Sequence, residues 1–501
     1  MSRNKHSWIL AGVLAGLVPA FVALAQPFGE LDIEPVGVQI EDAPSAQRVE
    51  VTLTPRAGIS GTQRINFAVP LAPGQLHDED RVRVLAGGVE LPAARRGLAR
   101  YADGSVRSVQ LQVDTVAAPN ARLEVRLGET PTTAELARVP VAATLDPADG
   151  TRGPRVWARL PAAWLVASGV AGPQVAEAET EGTTYDVWDN VCDFDRHDVD
   201  QFLSLRQSKD VWLYDRGTIM YRGHVRRGDL ATLESAYRET AIYRAAMTGS
   251  GAGTRIGVPG SATDVKYHYA QNLAIHYLMT GDDRFREAAE GVALRVDALW
   301  NPHYGGGGQF WTERHAGFSL LAYVWARIVT DDRAAELDAL AHDAVSAYLD
   351  VQETFPRNWT DTSARCFAHE TNCSPWMSAI LADGLEAYAI EYGGDEAASA
   401  RSAIVKLGKI LARDARDSSG KPYYMFGVGN AGDSVDAYHE HWGEPAYVIA
   451  MAWHHGGRSD VALRTAAQQL LAGVRTHGRA PHMRSFNWQC RSAMAAPYYL
   501  R

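Results

Sequence analysis

Tyr277-Leu278-Met279-Thr280-Gly281-Asp282 closes one run of helical periodicity and opens the next. The reason is local. Glycine takes the left-handed conformation that ends an outgoing helix, and an aspartate carboxylate accepts backbone N–H groups at the start of the incoming one. The same device returns at His224 to Gly228-Asp229, Val329 to Asp331-Asp332, Tyr392 to Gly394-Asp395, and His454 to Gly457 with Asp460 just beyond. The turns are about 50 to 65 residues apart, longer than a tetratricopeptide or armadillo unit. Amphipathic hairpins of this kind cannot bury their apolar faces alone and must stack on neighbours. Five hairpins and a final apolar segment ending at Tyr498-Tyr499-Leu500 predict an (α/α)5 or (α/α)6 toroid over residues 196–501, with an open solenoid as the alternative.

Upstream the period changes from helical to two. Val49 to Leu53, Arg81 to Leu85, Ser108 to Val113 and Arg122 to Leu127 alternate polar and apolar residues, as half-buried strands do. Gly87-Gly88 and Asp103-Gly104 fall between such runs and predict hairpin turns. Residues 26–150 are therefore expected to form an all-β barrel or sandwich. The stretch 151–195 is expected to supply additional strands and a linker to the helical domain. The chain thus reads as a multidomain protein of separate β and α parts.

At the N-terminus, Arg3 and Lys5 precede a mainly apolar run from Trp8, and Ala23-Leu24-Ala25 has the small-residue spacing of a cleavage site. Residues 1–25 are read as a cleavable signal peptide, which makes the protein periplasmic or secreted, with no stable membrane span once it is removed. The formal net charge of −10 gives no global attraction to nucleic acid or to an anionic membrane. An anionic substrate then needs a locally basic cleft. The 13 Trp and 20 Tyr suit a saccharide, whose C–H faces pack on aromatic rings. Four cysteines in an exported chain predict two disulfides. Cys366 and Cys373 are close enough to staple one loop, leaving Cys192 and Cys490 near the two ends of the helical region.

Two groups of motifs carry a family resemblance. Phe67-Ala68-Val69-Pro70 with Gly74 and Leu76, then Ala99 to Arg107, resemble the N-terminal barrel-like domain of exo-rhamnogalacturonan lyase-like proteins. Tyr214-Asp215-Arg216, Tyr267 to Asn272 before Tyr277 to Asp282, and Trp311 to Gly317 resemble that family's toroid motifs. The resemblance implies a polysaccharide lyase and places Tyr214 and Arg216 among the substrate-binding residues.

Lyase cleavage of a uronate polymer needs a group that neutralises the carboxylate, a base for the α-proton and an acid for the departing oxygen. Residues suited to these tasks gather where the first helices of the hairpins begin. His268, Tyr269 and Asn272 form one group, with His276 further along read as an interior histidine. A second is Trp311 to His315 after the Gly305 to Gly308 run. There, Arg314 is the first choice for a carboxylate through its planar fork, an ion pair with Glu313 being the alternative, and His315 is a second substrate contact. The third is His369-Glu370 with Trp376, in the loop that Cys366 and Cys373 would lock. The last is Tyr438-His439-Glu440-His441-Trp442.

The leading expectation is β-elimination on a uronic-acid glycan, with His369 or His439 as base, Tyr438 or Tyr269 as acid, and Arg314 with Asn272 on the carboxylate. His268 is a further catalytic candidate, and Trp442 a sugar-stacking one. A glycoside hydrolase using Glu370 and Glu440 is the alternative on the same scaffold, and a non-catalytic periplasmic glycan-binding protein is the third. No cofactor is required by this chemistry. A divalent cation held by His369, Glu370, His439 and Glu440 stays open, although the HExxH spacing is missing.

Overall fold

Alternation of apolar and polar residues between 48 and 127 folds as antiparallel sheet, and the Gly-Asp turns after 215 fold as helical hairpins. The computed structural model describes residues 47–260, 263–303, 312–349, 372–427, 434–435 and 441–501. All of these belong to one compact unit, Ser45–Arg501, and the proposed signal peptide lies outside the described residues.

Eight strands come first: β1 (Arg48–Pro55), β2 (Thr62–Pro70), β3 (Val82–Ala86), β4 (Val89–Leu91), β5 (Ala93–Arg100), β6 (Val106–Val116), β7 (Ala121–Leu127) and β8 (Val156–Arg159). They make a five-stranded sheet in the order β4-β3-β7-β1-β8 and a three-stranded sheet in the order β2-β6-β5. In β1, Val49, Val51 and Leu53 are buried while Arg48 and Glu50 are exposed, the expected period of two. Gly87 and Gly88 both take positive φ, 56° and 82°, which lets β3 return at once as β4.

Strand β6 is buried on both faces, not one. Val109, Leu111 and Val113 enter the core, and Ser108, Gln110 and Gln112 are covered as well. Their cover is the end of helix α7 (Gln271–Thr280), whose last carbonyls have no partner within the helix. Ser108 Oγ donates to Leu278 O at 2.6 Å, Asn66 Nδ2 to Thr280 O at 2.8 Å, and Arg96 Nη2 to Gly281 O at 2.7 Å. The cation at that negative helix end is electrostatically favourable.

Between 151 and 195 the outcome differs from expectation. One strand, β8, pairs with β1, and the rest is short helix: α1 (Ala162–Ser168), α2 (Glu177–Thr180) and α3 (Val187–Val191). Pro161 before α1 and left-handed Gly169 after it (φ 66°) bracket an Ala-rich run with good helix propensity.

After α4 (Val199–Leu205) come five hairpins: α5 (Arg216–Arg227) with α6 (Leu230–Ala245), α7 with α8 (Asp283–Leu299), α9 (Glu313–Val329) with α10 (Ala334–Tyr348), α11 (Ser378–Tyr392) with α12 (Gly394–Asp414), and α13 (Gly443–His455) with α14 (Val461–His477). The chain ends with α15 (Met483–Arg491) and α16 (Ala496–Leu500). Small pairings join them: β9 (Met247–Thr248) with β10 (Arg255–Ile256), and β11 (Asn372–Cys373) with β12 (Tyr423–Gly427) and β13 (Ser434–Val435). Gly228 ends α5 at φ 68°, and the Asp229 carboxylate accepts the Thr232 N–H at 2.8 Å. Gly281 and Asp282 repeat the arrangement, and Asp460 caps α14. At Asp331-Asp332 no aspartate caps the incoming helix; Thr330 Oγ1 accepts the Arg333 N–H at 3.1 Å instead.

The first helix of each hairpin is buried nearly all round, as α7 is at every position, whereas α12 buries one stripe: Ala397, Ala400, Ala403, Ile404, Leu407, Ile410 and Leu411. Contacts run from α5 to α7, α9, α11 and α13, then through α16 and α15 back to α5. Helices α9 and α11 approach so closely at Gly317 that an added methyl group would meet the Ile380 backbone. Asp383 of α11 ties the elements together, accepting from Arg491, from Ser492 Oγ at 2.7 Å and from Tyr447 Oη at 2.6 Å, with Arg222 at 3.3 Å. Burial works against its ionisation, but the two guanidinium groups hold its carboxyl below the usual value. The Cys192–Cys490 disulfide spans 298 residues and ties the segment after α3 to α15. Among the described residues no helix is long and apolar enough to cross a membrane.

Candidate functional site

Five aromatic side chains from five segments meet beside the starts of α5, α9, α11 and α13. Tyr214 immediately precedes the α5 cap, Trp376 lies two residues before α11, His441 lies two before α13, Tyr424 is on β12 and Trp488 is on α15. His441 stacks on Trp376 at 4.8 Å and 16°, and on Trp488 at 4.8 Å and 39°. Tyr214 meets Trp376 at 6.2 Å and Trp488 at 6.0 Å, both edge-on, and Tyr424 closes on Trp376 at 5.6 Å. Tyr214, Trp376 and His441 are buried, while Tyr424 and Trp488 are partly exposed. The result is an aromatic floor with an open side.

Arg314, the second residue of α9, lies along that floor. Its Cζ is 6.0 Å from the Tyr214 centroid and 5.7 Å from that of Trp376, and its Nη1 donates to Tyr214 Oη at 3.2 Å. No carboxylate among the described residues pairs with it, and its buried Nε has no hydrogen-bond partner. A guanidinium over π faces that no described carboxylate neutralises offers donors for a planar anion. Arg484, exposed on α15, sits 5.1 Å above the Trp488 ring. Lys266 lies 5.6 Å from the Tyr267 centroid but is held by Asp264 at 2.6 Å. Among the described residues of this rim, Lys266 and Arg484 each have an aspartate beside them, Asp264 and Asp210, and Arg314 has none.

The backbone at Tyr214 is under strain. Both Tyr214 and Asp215 take left-handed φ, 72° and 61°, a conformation costly for bulky residues. Three neighbours hold it. Tyr269 Oη accepts the Tyr214 N–H at 3.0 Å and donates to Trp212 O at 3.0 Å. Asn487 Nδ2 donates to Val211 O and Leu213 O, both at 3.0 Å. The Asp215 carboxylate caps α5 through Thr218 and accepts from Asn272 Nδ2 at 2.6 Å. Burial pushes the Tyr214 hydroxyl above its usual pKa, with Arg314 opposing, so the group stays protonated.

No protein-family model matches the chain, and no curated protein matches it significantly.

Of the residues expected at a site, Tyr214, Arg314 and Trp376 come together, and the others are placed differently or not described. Tyr269 and Asn272 lie behind Tyr214 as its supports, both buried, with no free face toward the floor. Arg216 is withdrawn into an ion pair with Glu239, at 2.6 and 2.5 Å, and also donates to His197 O. Its charge is spent between α5 and α6, so it is not a substrate contact. His268 is buried, with Nδ1 3.0 Å from Asp264 O, and burial lowers its pKa to about 4. That depresses it too far for a base working near neutrality.

His315 bridges Thr312 Oγ1 (2.6 Å) and Asp264 Oδ1 (3.2 Å) and stacks on Trp300, outside the aromatic floor. Trp442 stacks on His477 and fills the space above Gly473, so it faces α14 and not a ligand. Glu313 makes no surface ion pair with Arg314. It is buried, accepts the Ser374 N–H at 2.7 Å, and is pushed up to about 7 by burial. His276 is an interior histidine, hydrogen-bonded to Tyr221 Oη at 2.8 Å and stacked on Phe285. His369, Glu370, Tyr438, His439, Glu440 and Cys366 lie outside the described residues, and so does the proposed Cys366–Cys373 bridge as a pair.

The flanks of those segments do converge on the rim. Asn372 pairs with Gly427, and Tyr423 with Val435, on the strand that also carries Tyr424. Sequence reasoning missed Tyr424, Trp488 and Arg484. Arg484 and Trp488 stand at i and i+4, one helical face, a spacing legible in advance. Tyr424 belongs to a five-residue strand embedded in helical sequence and gave no such signal. Two concavities, of about 350 and 230 Å³, share no lining residue with this cluster. The first is lined by Arg206, Trp212 and Pro259 and has no pair of titratable groups; the second carries Glu177, Asp193, Asp195, Arg226 and Arg227, but Arg227 is already engaged by Glu177, Asp195 and Asp229. Among the described residues no three His, Cys, Asp or Glu side chains are grouped to hold a metal ion.

Proposed function

We propose that the protein is an exported polysaccharide lyase of exo-rhamnogalacturonan lyase-like type, cleaving a uronate-containing glycan by β-elimination. The observation that carries this reading is Arg314, a guanidinium without a carboxylate partner among the described residues, lying along Tyr214 and Trp376. The five hairpins and the return of contacts through α15 and α16 support an (α/α)5 toroid as scaffold, and the Cys192–Cys490 bridge supports an oxidising compartment.

In this reading a uronate packs against the partly exposed edge of the cluster at Tyr424 and Trp488, and its carboxylate accepts from Arg314. Withdrawing charge onto the carboxylate acidifies the adjacent C–H, a base removes that proton, the C=C bond forms, and the glycosidic C–O bond breaks. Tyr214 is protonated and holds Arg314 through its hydroxyl, but at 1% exposure it is as buried as Tyr269, so the acid for the departing oxygen in this reading is Tyr438. His369 and His439 remain the candidates for base. A glycoside hydrolase is the second reading, favoured by Glu313, a carboxyl with a pKa of about 7 as a general acid requires. Its burial and its bond to Ser374 weigh against that role.

Purified mature protein incubated with a panel of uronic-acid polymers should generate an ultraviolet-absorbing double bond at new chain ends. New reducing ends without that absorbance would transfer the case to hydrolysis.

A further inference from the structure

The aromatic floor has two basic edges. Arg314 lies along Tyr214 and Trp376, Tyr214 meets Trp488 edge-on at 6.0 Å, and Arg484 covers Trp488 at 5.1 Å. Arg314, Tyr214, Trp488 and Arg484 form one continuous succession of cation, ring, ring and cation. The two cations reach the same neighbours, since both act on the ionisation of Tyr214 and of Tyr267.

Whether a cation can serve a ligand depends on what already neutralises it. Lys266 is bound to Asp264 at 2.6 Å, and His315 and Lys266 hold that carboxyl well below its usual pKa against the effect of burial. Its charge is therefore taken. Among the described residues Arg484 has one carboxylate nearby, Asp210 at 3.8 Å, with both side chains nearly half exposed at 45% and 43%. Such a pair contributes little and is readily exchanged for another anion. Arg314 has no carboxylate partner among the described residues.

The geometry points to two acid-binding subsites on one platform, Arg314 for the reacting uronate and Arg484 for an acidic group on a neighbouring sugar. The substrate class that fits is a glycan with acidic groups on sugars close together along the chain. This rests on the uronate reading of the Arg314 subsite. Arg484 then meets the second carboxylate while the Trp488 ring beneath it holds the guanidinium in place, as Trp376 holds Arg314.

The test is titration of the full mature protein, followed by tryptophan fluorescence, with two probes of equal length. One is a trimer of a single uronic acid, in galacturonate, mannuronate and glucuronate versions. The other is a trisaccharide with one terminal uronate and two neutral sugars. The wild type should bind one of the tri-uronates about tenfold tighter than the matching mono-uronate probe. Arg484→Gln should abolish that preference and flatten the salt dependence, lowering the tri-uronate affinity more than the mono-uronate affinity. Arg484 is exposed, so the substitution leaves the core intact. Equal wild-type affinity for both probes, or an Arg484→Gln variant that keeps the preference, overturns the second subsite. Arg314→Gln separates the two ideas: if it binds both probes as the wild type does, the uronate subsite itself is wrong. If the binding differences hold but no double bond ever forms, elimination fails and the two-anion subsite stands.

Discussion

The Oη of Tyr269 accepts the backbone N–H of Tyr214 at 3.0 Å and so helps hold that residue at φ 72°. A side chain expected to act on substrate is instead the support of one that faces the floor.

Tyr269→Phe removes this acceptor and leaves a buried N–H unpaired. A loss of about 1–3 kcal/mol in unfolding free energy is expected, since an orphaned donor costs its full desolvation. Turnover should fall as well, because Tyr214 is then free to relax toward ordinary φ. Denaturant unfolding beside initial rates checks both, and a variant with wild-type stability and turnover would show that Tyr269 is no support.

Arg314 separates charge from geometry. Arg314→Lys keeps the cation but loses the planar fork, and Arg314→Gln loses both. Loss of a preorganised group at the reacting carboxylate is expected to cost about 100-fold or more in kcat/KM, with Gln worse than Lys. Melting temperatures should stay near wild type, because the side chain is partly exposed and makes one hydrogen bond. A collapse in stability with turnover intact would assign Arg314 to structure.

Glu313 should show in the pH dependence of stability. Its pKa rises from an ordinary 4.5 to about 7 on folding. The native state therefore binds more protons than the unfolded chain between these values. The stabilisation is complete below pH 4.5 and is lost as pH rises through about 7. Two to three pH units correspond to about 3 kcal/mol. Glu313→Gln keeps the acceptor for Ser374 and removes the titration, so its stability should stay level where the wild type declines. Urea unfolding from pH 5 to 8.5 measures this, and parallel curves for the two proteins would rule it out.

Cys192 and Cys490 close a loop of nearly the whole helical region. Replacing both by Ala should cost about 2–5 kcal/mol, mainly by freeing the unfolded chain. The comparison is chemical denaturation of the double variant against the oxidised wild type. An unchanged midpoint would mean that the packing of α15 against α5 holds these ends without the bond.

Local chemistry explains what was legible beforehand. Gly228-Asp229 and Gly281-Asp282 encode their turns through left-handed glycine and aspartate caps, and Val49, Val51 and Leu53 encode a strand through alternation. Both signals act within a few residues of chain. The Cys192–Cys490 pairing was reached differently, by elimination: Cys366 and Cys373 are close enough to staple one loop, which leaves the two cysteines that flank the helical region. In the 151–195 segment the composition suggests linker and strand, yet the Pro and Gly that bracket the Ala-rich run after Pro161 are helix signals, and these prevail.

The site divides in the same way. The residue types were written in the chain: Tyr214, Arg314 and Trp376 stand where first helices begin, and those starts share an end of the molecule. Which side chains face the floor was not, because Arg216, Asn272, Tyr269 and Trp442 each met a buried partner from a distant element. Glu239, Asp215, the Tyr214 amide and the Gly473 gap captured them in turn. A polar group leaving water must find such a partner, and the nearest one is fixed only when separate helices pack. Sequence thus determined the elements and their chemical content, while tertiary packing decided which charges found opposite charges among the described residues, and left Arg314 without one.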